Sequence, residues 1–503
     1  MPRPARTLAP LLALALSGCG HAFLCEARGG PPWRELVTPR FVVHTDLPRD
    51  EARAFAAELE RVDDAVRGGL ARFVLPPDLG LRERPERLEV VVFAEHAQFE
   101  TFSPEYVEAY LSRDDAGRER IVLPAKMDGG LRAVVAHELT HRWTLNVLPG
   151  RPMWVVEGLA VYMESLGAED GLWTHAAASF GGMPPDRLVR PPNMWELKAF
   201  VSGAGLNAHG YATAWAIVHF LVNTRQAAFH EYLRRLARGE RPPAAWRAAF
   251  PAWNLDDGAA LAAFHREFDA YVRSGRYTAR GVTLGEPPPI EAERPFPADR
   301  VHALRLELPR RPVRRFQRLS RALTREAEEA LAERPGLLPA LRILAALRPK
   351  DARALAEQAV TANPGDPAAW LFLARVTPGP ADAARRDEAL GRALALAPEQ
   401  AEARWRLAAS LLDQGRPAEA LPHAERGARA APSSPRARRV LGRALADGDR
   451  CPDAAVAYAD AVQLALAEGD HALAESIRDA LRPLKDRCPA AFTAAPPARE
   501  GAP

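Results

Sequence analysis

The side chains best equipped for chemistry stand together in "AHELTHRWTLNVLPGRPMWVVEGLAVYMES", Ala136 to Ser165. His137 and His141 are four residues apart, so on a helix they project from one face and offer two imidazoles to one metal ion. Glu138 then lies beside the ion rather than on it. Two histidines leave a zinc underligated, because a catalytic zinc takes three protein ligands and keeps one position for water. Glu157 is the candidate third ligand. The first helix should end near Leu148-Pro149-Gly150, Pro152 suits the start of the next, and Glu157 sits about a turn and a half into it. Helix, sharp turn and helix return it beside the histidine pair. Such a site supports hydrolysis: the ion polarises a water and a carbonyl, and Glu138 takes the water's proton and passes it to the leaving amine. Glu164 lies seven residues beyond Glu157 on the same face. It reads either as a carboxylate steadying a ligand histidine or as an exposed helix glutamate.

The elements that must position these groups are legible around them. "RFVVHTD" at Arg40–Asp46, "RLEVVVFA" at Arg87–Ala94 and "ERIVLPA" at Glu119–Ala125 read as strands, rich in Val and bounded by polar or Pro-containing segments. Asp50–Phe73 reads as a helix between the first two, and a mostly helical region runs from Gly129-Gly130 to about Ser274. A small mixed sheet followed by helices is an α+β arrangement.

Trp154, Glu157, Gly158 and Glu164 in "WVVEGLAVYMES" resemble the zinc-ligand helix of gluzincin metallopeptidases of the aminopeptidase-N type, and residues 33–275 resemble an exported bacterial peptidase-MA-like domain. The resemblance implies a zincin-like fold, bound Zn2+ on His137, His141 and Glu157, and endopeptidase chemistry. It departs from the aminopeptidases in two ways. The gap between His141 and Glu157 is 15 residues, shorter than theirs, and no Gly-x-Met-Glu-Asn string precedes the site. The metal site carries over and the exopeptidase specificity does not. In "NAHGYATAWAIVHFLVN", Tyr211 resembles the tyrosine that stabilises the tetrahedral oxyanion in that family. Its competing reading is a core tyrosine with a satisfied hydroxyl.

The C-terminal half is different in kind. The segment 281–312 contains "GEPPPIEAERPFPADR", lacks sustained periodicity and reads as a linker. Beyond it Pro364, Pro398 and Pro432 stand 34 residues apart, the period of tetratricopeptide repeats. Ten residues after each proline come Ala374, Ala408 and Gly442, small enough for two helices to approach, and six after come Trp370 and Arg404 in the first two units. Gly415 and Gly448 mark turns. Residues 330–485, with a capping helix from His471 to Leu484, are therefore expected to form an all-α superhelix that binds a protein or peptide partner.

The first residues, "MPRPARTLAPLLALALSGC", combine Arg3 and Arg6 with an apolar run too short to span a bilayer. "LSGC" resembles a bacterial lipobox, which implies a signal peptide at 1–18, lipid on Cys19, a tether at 19–32 and a place in the cell envelope. Gly20 after the cysteine favours the outer membrane. An ordinary signal peptide cleaved elsewhere is the alternative. Across 503 residues, Lys plus Arg number 67 against 64 for Asp plus Glu, so no nucleic-acid partner is expected. In an oxidising compartment Cys451 and Cys488 are placed to pair, since antiparallel helices return the second beside the first. Free thiols or a bond to Cys25 remain open. Two functions stand: a lipid-anchored zinc metallopeptidase with a partner-binding repeat domain, or a scaffold lipoprotein whose metallopeptidase-like domain is inactive.

Overall fold

A computed structural model describes residues 30–81, 86–103, 109–113, 119–145, 147–148, 152–167, 173–174, 177–180, 194–201, 210–274, 278–308, 316–432, 434–467, 470–487 and 489. The leader, Cys19 and Cys25 lie outside the described residues. The chain forms two compact units, the first of residues up to Val301 with Leu308–Pro312 and the second of His302–Glu307 with the residues from Val313 on.

The first unit is built on a six-stranded mixed sheet in the order β4-β5-β3-β2-β1-β8. Its centre is β2 (Phe41–Thr45), β3 (Leu88–Phe93) and β5 (Glu119–Pro124), running parallel. These are the three expected strands, within a residue or two of the ends read from the sequence. The flanking β1 (Arg34–Val37), β4 (Tyr110–Arg113) and β8 (Ala292–Pro295) pair antiparallel. Their four-residue runs are too short for a pattern of alternating burial to stand out. Parallel β2 and β3 require a crossover, and α1 (Arg49–Gly69) supplies it, with Asp50 and Glu51 in its first turn and Arg67 in its last, as the helix dipole favours. A π-helical turn, Leu70–Val74, completes the segment expected as one helix to Phe73.

The expected linker at 281–312 is corrected by the structure. It carries β8, the end of a second small sheet in which β7 (Arg280–Thr283) pairs with β6 (Ala177–Phe180), and α10 (Ala298–Glu307). The physical reason is charge. Strand β8 has almost no apolar side chain, but Glu293 accepts from Arg49 and Arg53 at 2.8 Å each, and Arg294 pairs with Glu35 on β1. Polar pairing holds a strand that hydrophobic alternation does not reveal.

That ladder continues across the sheet. His44 on β2 meets Glu35 through Nε2 and Glu89 through Nδ1, both at 3.0 Å, and Glu89 meets Arg120 on β5 at 2.7 Å. The bond from His44, outweighing burial, holds the Glu35 carboxyl at about 2. Burial opposes charge on Glu89, yet His44 and Arg120 hold it at about 2 as well. Burial likewise opposes charge on His44, and the two carboxylates raise it above the ordinary histidine value.

The second unit is helical. After α11 (Phe316–Glu333), α12 (Leu338–Leu347) and α13 (Ala352–Ala362) come three helix pairs: α14 (Pro367–Arg375) with α15 (Ala383–Leu396), α16 (Ala401–Asp413) with α17 (Pro417–Ala430), and α18 (Pro435–Asp447) with α19 (Cys451–Ala467). The final α20 (His471–Arg487) packs on α19. First and second helices of successive pairs each start 34 residues apart. The variable position six after each proline always supplies the same bond. Trp370 Nε1 and Arg404 Nε donate to the carbonyls of Pro364 and Pro398 at 2.9 Å, and Arg438 Nε reaches that of Pro432 at 3.5 Å. The site selects an N–H donor rather than a residue type. Of the small positions, Gly442 lies tightest among those described: a Cβ there would meet the Tyr458 ring at 3.0 Å, so the ring would have to give way. One turn is displaced from its expected glycine. Gly415 has φ +70°, but in the next repeat the left-handed residue is Asp449, φ +57°, not Gly448.

Two outcomes are expected. Gly415→Ala should cost the repeat unit about 1 kcal/mol, whereas Asp449→Gly should stabilise it by a few tenths, read by urea unfolding of the full chain. For the charge ladder, carboxylates held near 2 contribute stability that is present above their unfolded value of 4.5 and lost as pH falls from there toward about 2. His44 contributes below 6.5 and loses its contribution as pH rises through its raised value. Glu35→Gln/Glu89→Gln protein should therefore show a flatter loss of stability than wild type in urea titrations between pH 4.5 and 2.

Candidate metal centre

Two helices carry the site. Helix α3 (Gly129–Leu145) presents His137, Glu138 and His141, and α4 (Met153–Glu164) presents Glu157 and Glu164. Pro152 stands at the N-cap of α4 in extended conformation, φ −70° and ψ 152°, so the proline read as a helix start lies one residue before it. From Trp154 to Met163 nearly every side chain of α4 is buried. A helix apolar on all sides must be enclosed on all sides, and α4 packs between α3 and α6 (Gly210–Thr224). The orientation of α3 is set from the sheet side. Trp143 Nε1 donates to Asp63 Oδ1 on α1 at 2.7 Å, and Arg40 Nε pairs with Asp63 at 3.2 Å. Burial pushes the Asp63 carboxyl up to about 6, against the pull of Trp143 and Arg40.

The three expected ligands converge. His137 Nε2 and His141 Nε2 are 2.9 Å apart, and Glu157 Oε2 lies 3.4 Å from the first and 3.6 Å from the second. His137, His141 and Glu157 are the group of histidine, cysteine and acidic side chains found able to hold a metal ion among the described residues. Zinc bonds of about 2.0–2.1 Å in tetrahedral array separate ligand atoms by about 3.3 Å, so the triangle fits that ion. Glu164 resolves its two readings: His137 Nδ1 donates to Glu164 Oε1 at 2.6 Å. With the proton held on Nδ1, the Nε2 lone pair faces the triangle. Burial opposes charge on His137, yet Glu157 and Glu164 push it up to about 10. That shift reports how strongly these carboxylates favour a positive charge at this point.

Glu138 is half-buried, and burial first, then Glu157 and Glu164, hold its carboxyl above the usual range against the pull of His137. Tyr211 opens α6 and is 43% exposed, which removes the core-tyrosine reading. Burial and the charges of Glu157, Glu138 and Glu164 all raise its hydroxyl's pKa, so the phenol lies within the field of the site. His219 is buried instead in a structural cluster, 2.6 Å from the Tyr271 hydroxyl.

Two further contacts position the site, one at a glycine singled out in the sequence only for its place in the motif and one at a tryptophan that was not singled out. A Cβ on Gly158 meets the Ala214 carbonyl oxygen at 2.6 Å and Val218 Cγ2 at 2.8 Å, so this glycine sets how closely α6 approaches α4. Trp173 donates to Glu58 Oε1 at 2.8 Å while the Arg61 and Arg132 guanidiniums lie over its ring at 5.1 and 5.3 Å. That clamp ties the chain beyond α4 to α1 and to the first turn of α3. The partners of Trp173 are distant in sequence and give no local signal for it, and the partner of Gly158, Ala214, is equally distant, so the motif marked the glycine but not its role. In the second unit Cys451 opens α19 and is disulfide-bonded. Cys488, its expected partner, lies outside the described residues.

Comparison with known proteins places the repeats. Residues 381–435 and 408–471 match the tetratricopeptide repeat family. The second unit carries tetratricopeptide repeats, an architecture for protein interaction. No curated protein matches the chain. Similar solved structures include a thermophilic tetratricopeptide protein of Thermus thermophilus, 19% identical, covering 32% of this chain and 90% of its own with TM-score 0.28. PilF of Pseudomonas aeruginosa is 18% identical over 38% and 92%, TM-score 0.28. YrrB, a repeat protein with an unusual peptide-binding site, is 16% identical over 33% and 95%, TM-score 0.25.

Gly158→Ala is expected to push α6 away from α4 and move Tyr211. The variant should lose about 2 kcal/mol or more of stability, by the cost of overpacking a core contact, in thermal or urea unfolding. Gly239→Ala, in an open turn at φ +80°, should cost less.

Proposed function

We propose that the first unit is a zinc-dependent peptidase, an endopeptidase of the gluzincin kind with a zincin-like fold, and that the repeats bring it a protein partner or substrate. The single observation that carries this is the convergence of His137 Nε2, His141 Nε2 and Glu157 Oε2 within a 2.9–3.6 Å triangle, with Glu164 behind His137.

The donor set, two neutral imidazoles and one carboxylate, suits zinc and leaves a position for water. A zinc ion held there supplies Lewis acidity to a water and to a peptide carbonyl. The protein's own groups do the rest. Glu164 keeps His137 in the tautomer that presents Nε2. Glu138, with a raised pKa, accepts the water's proton and returns it to the leaving nitrogen. Tyr211, at the edge of the site, donates its hydroxyl to the developing oxyanion. Cys19 carries the lipid that tethers the protein in the bacterial envelope, outer membrane favoured. A second reading, a scaffold whose repeats carry the function beside an inactive metal domain, is favoured by the family match lying within the repeats.

Metal analysis of the full chain should find about one zinc per molecule, and the His137→Ala/His141→Ala variant should have none. Glu138→Gln should retain the zinc and lose roughly 10²–10⁴-fold in cleavage of a peptide library. Zinc bound by a wild type that cleaves nothing in the library favours the scaffold reading instead.

A further inference from the structure

Glu58, midway along α1, holds three donors from three parts of the chain. Its Oε1 accepts from Trp173 Nε1 at 2.8 Å and from Arg132 Nη1 at 3.2 Å, and its Oε2 accepts from Arg61 Nη1 at 2.9 Å. Arg132 is in the first turn of α3, and Trp173 lies nine residues past Glu164, the last residue of α4. Both guanidiniums also lie over the Trp173 ring, and Arg61 continues to the Thr174 carbonyl. Among the described residues Glu58 is the carboxylate paired with either arginine, so its removal leaves two cations beside one indole without a counter-ion. The other end of α3 is held from the same helix, by the bond from Trp143 to Asp63. Helix α1 thus grips α3 at Arg132 and at Trp143, and His137, Glu138 and His141 lie between the two grips.

We propose that Glu58 is a positioning residue for the metal centre: by fixing the first turn of α3 it sets where His137 stands against Glu157. The inference rests on the zinc reading and adds to it a carboxylate on a third helix. The leverage follows from helix geometry. Arg132 is eleven residues from Trp143, His137 six and His141 two, which at the helical rise is about 16, 9 and 3 Å. With the Trp143 end held, a swing of about 1 Å at Arg132 carries His137 by roughly 0.5 Å and His141 by roughly 0.2 Å. Metal–ligand distances tolerate only about 0.2 Å, so His137 is the ligand displaced. The rival is that Leu131, Val135 and Leu139, all buried, hold α3 unaided. Apolar burial is non-directional: it fixes which face of α3 turns inward and leaves small shifts of the helix cheap. The bonds to Glu58 are directional and stop those shifts.

The test uses the full-length protein as wild type, Glu58→Ala, Glu58→Gln and Glu293→Gln. The last removes the carboxylate through which Arg49 and Arg53 hold β8 and controls for general loosening of the unit. Zinc affinity is measured by competition with a chromogenic chelator, and cobalt(II) placed in the site reports ligand geometry through its visible absorption. Glu58→Ala should bind zinc about tenfold more weakly, with a shifted cobalt spectrum. Glu58→Gln keeps an oxygen for the Trp173 N–H but loses the charge that holds the arginines, and should fall between Glu58→Ala and wild type. Glu293→Gln should match wild type in both measurements. Wild-type affinity and spectrum in Glu58→Ala, or an equal loss in Glu293→Gln, overturns the positioning role and leaves the zinc reading standing. If Glu58→Ala does not fold, Glu58→Gln decides, and wild-type values there overturn the role. A wild type that binds no zinc overturns both.

Discussion

Where α4 passes α6 there is no room for a methyl group. The glycine after Glu157 lets a backbone carbonyl of α6 come within 2.6 Å of where a Cβ would stand, and the rest of the site is arranged around that approach. It brings the tyrosine at the head of α6 into the field of three carboxylates, and Glu157, the residue before that glycine, is buried. On the other side α3 is held by a buried indole-to-carboxylate bond from Trp143 to Asp63. The three converging donor atoms are thus positioned by helices fixed independently, one to the sheet through α1 and the other to α6. Under the proposed zinc reading, preorganisation of this kind would spare the ion the cost of ordering its ligands.

The electrostatics have the same logic. A histidine driven up to about 10 by two carboxylates is a place where the fold has gathered negative charge around imidazole nitrogens. The charge ladder across the sheet is different: its histidine and carboxylates are matched by arginines at both ends and bind the edge strand β8 to the sheet.

What could be read in the sequence was what has local periodicity or fixed spacing. The three Val-rich central strands, the two histidines and the glutamate after a Pro-Gly turn that converges on them, and the 34-residue repeat all announce themselves within short windows. The edge strand at Ala292–Pro295 did not, because its hold on the sheet comes from charged partners as far away as Arg49 and Arg53. Nor did the left-handed turn at Asp449, since Gly448 beside it carried the expected residue type. Glu164 could be given two readings from spacing alone, and only the 2.6 Å bond to His137 separates them. The position six after each repeat proline looked variable because it keeps a donor atom and its reach, and tryptophan and arginine both supply that.

The most direct test of the metal centre is X-ray absorption at the zinc edge on the purified full-length protein. The account predicts a first shell of two imidazole nitrogens with oxygen ligands at about 2.0–2.1 Å and no sulfur. A shell containing sulfur, or one with fewer than two imidazoles, contradicts it.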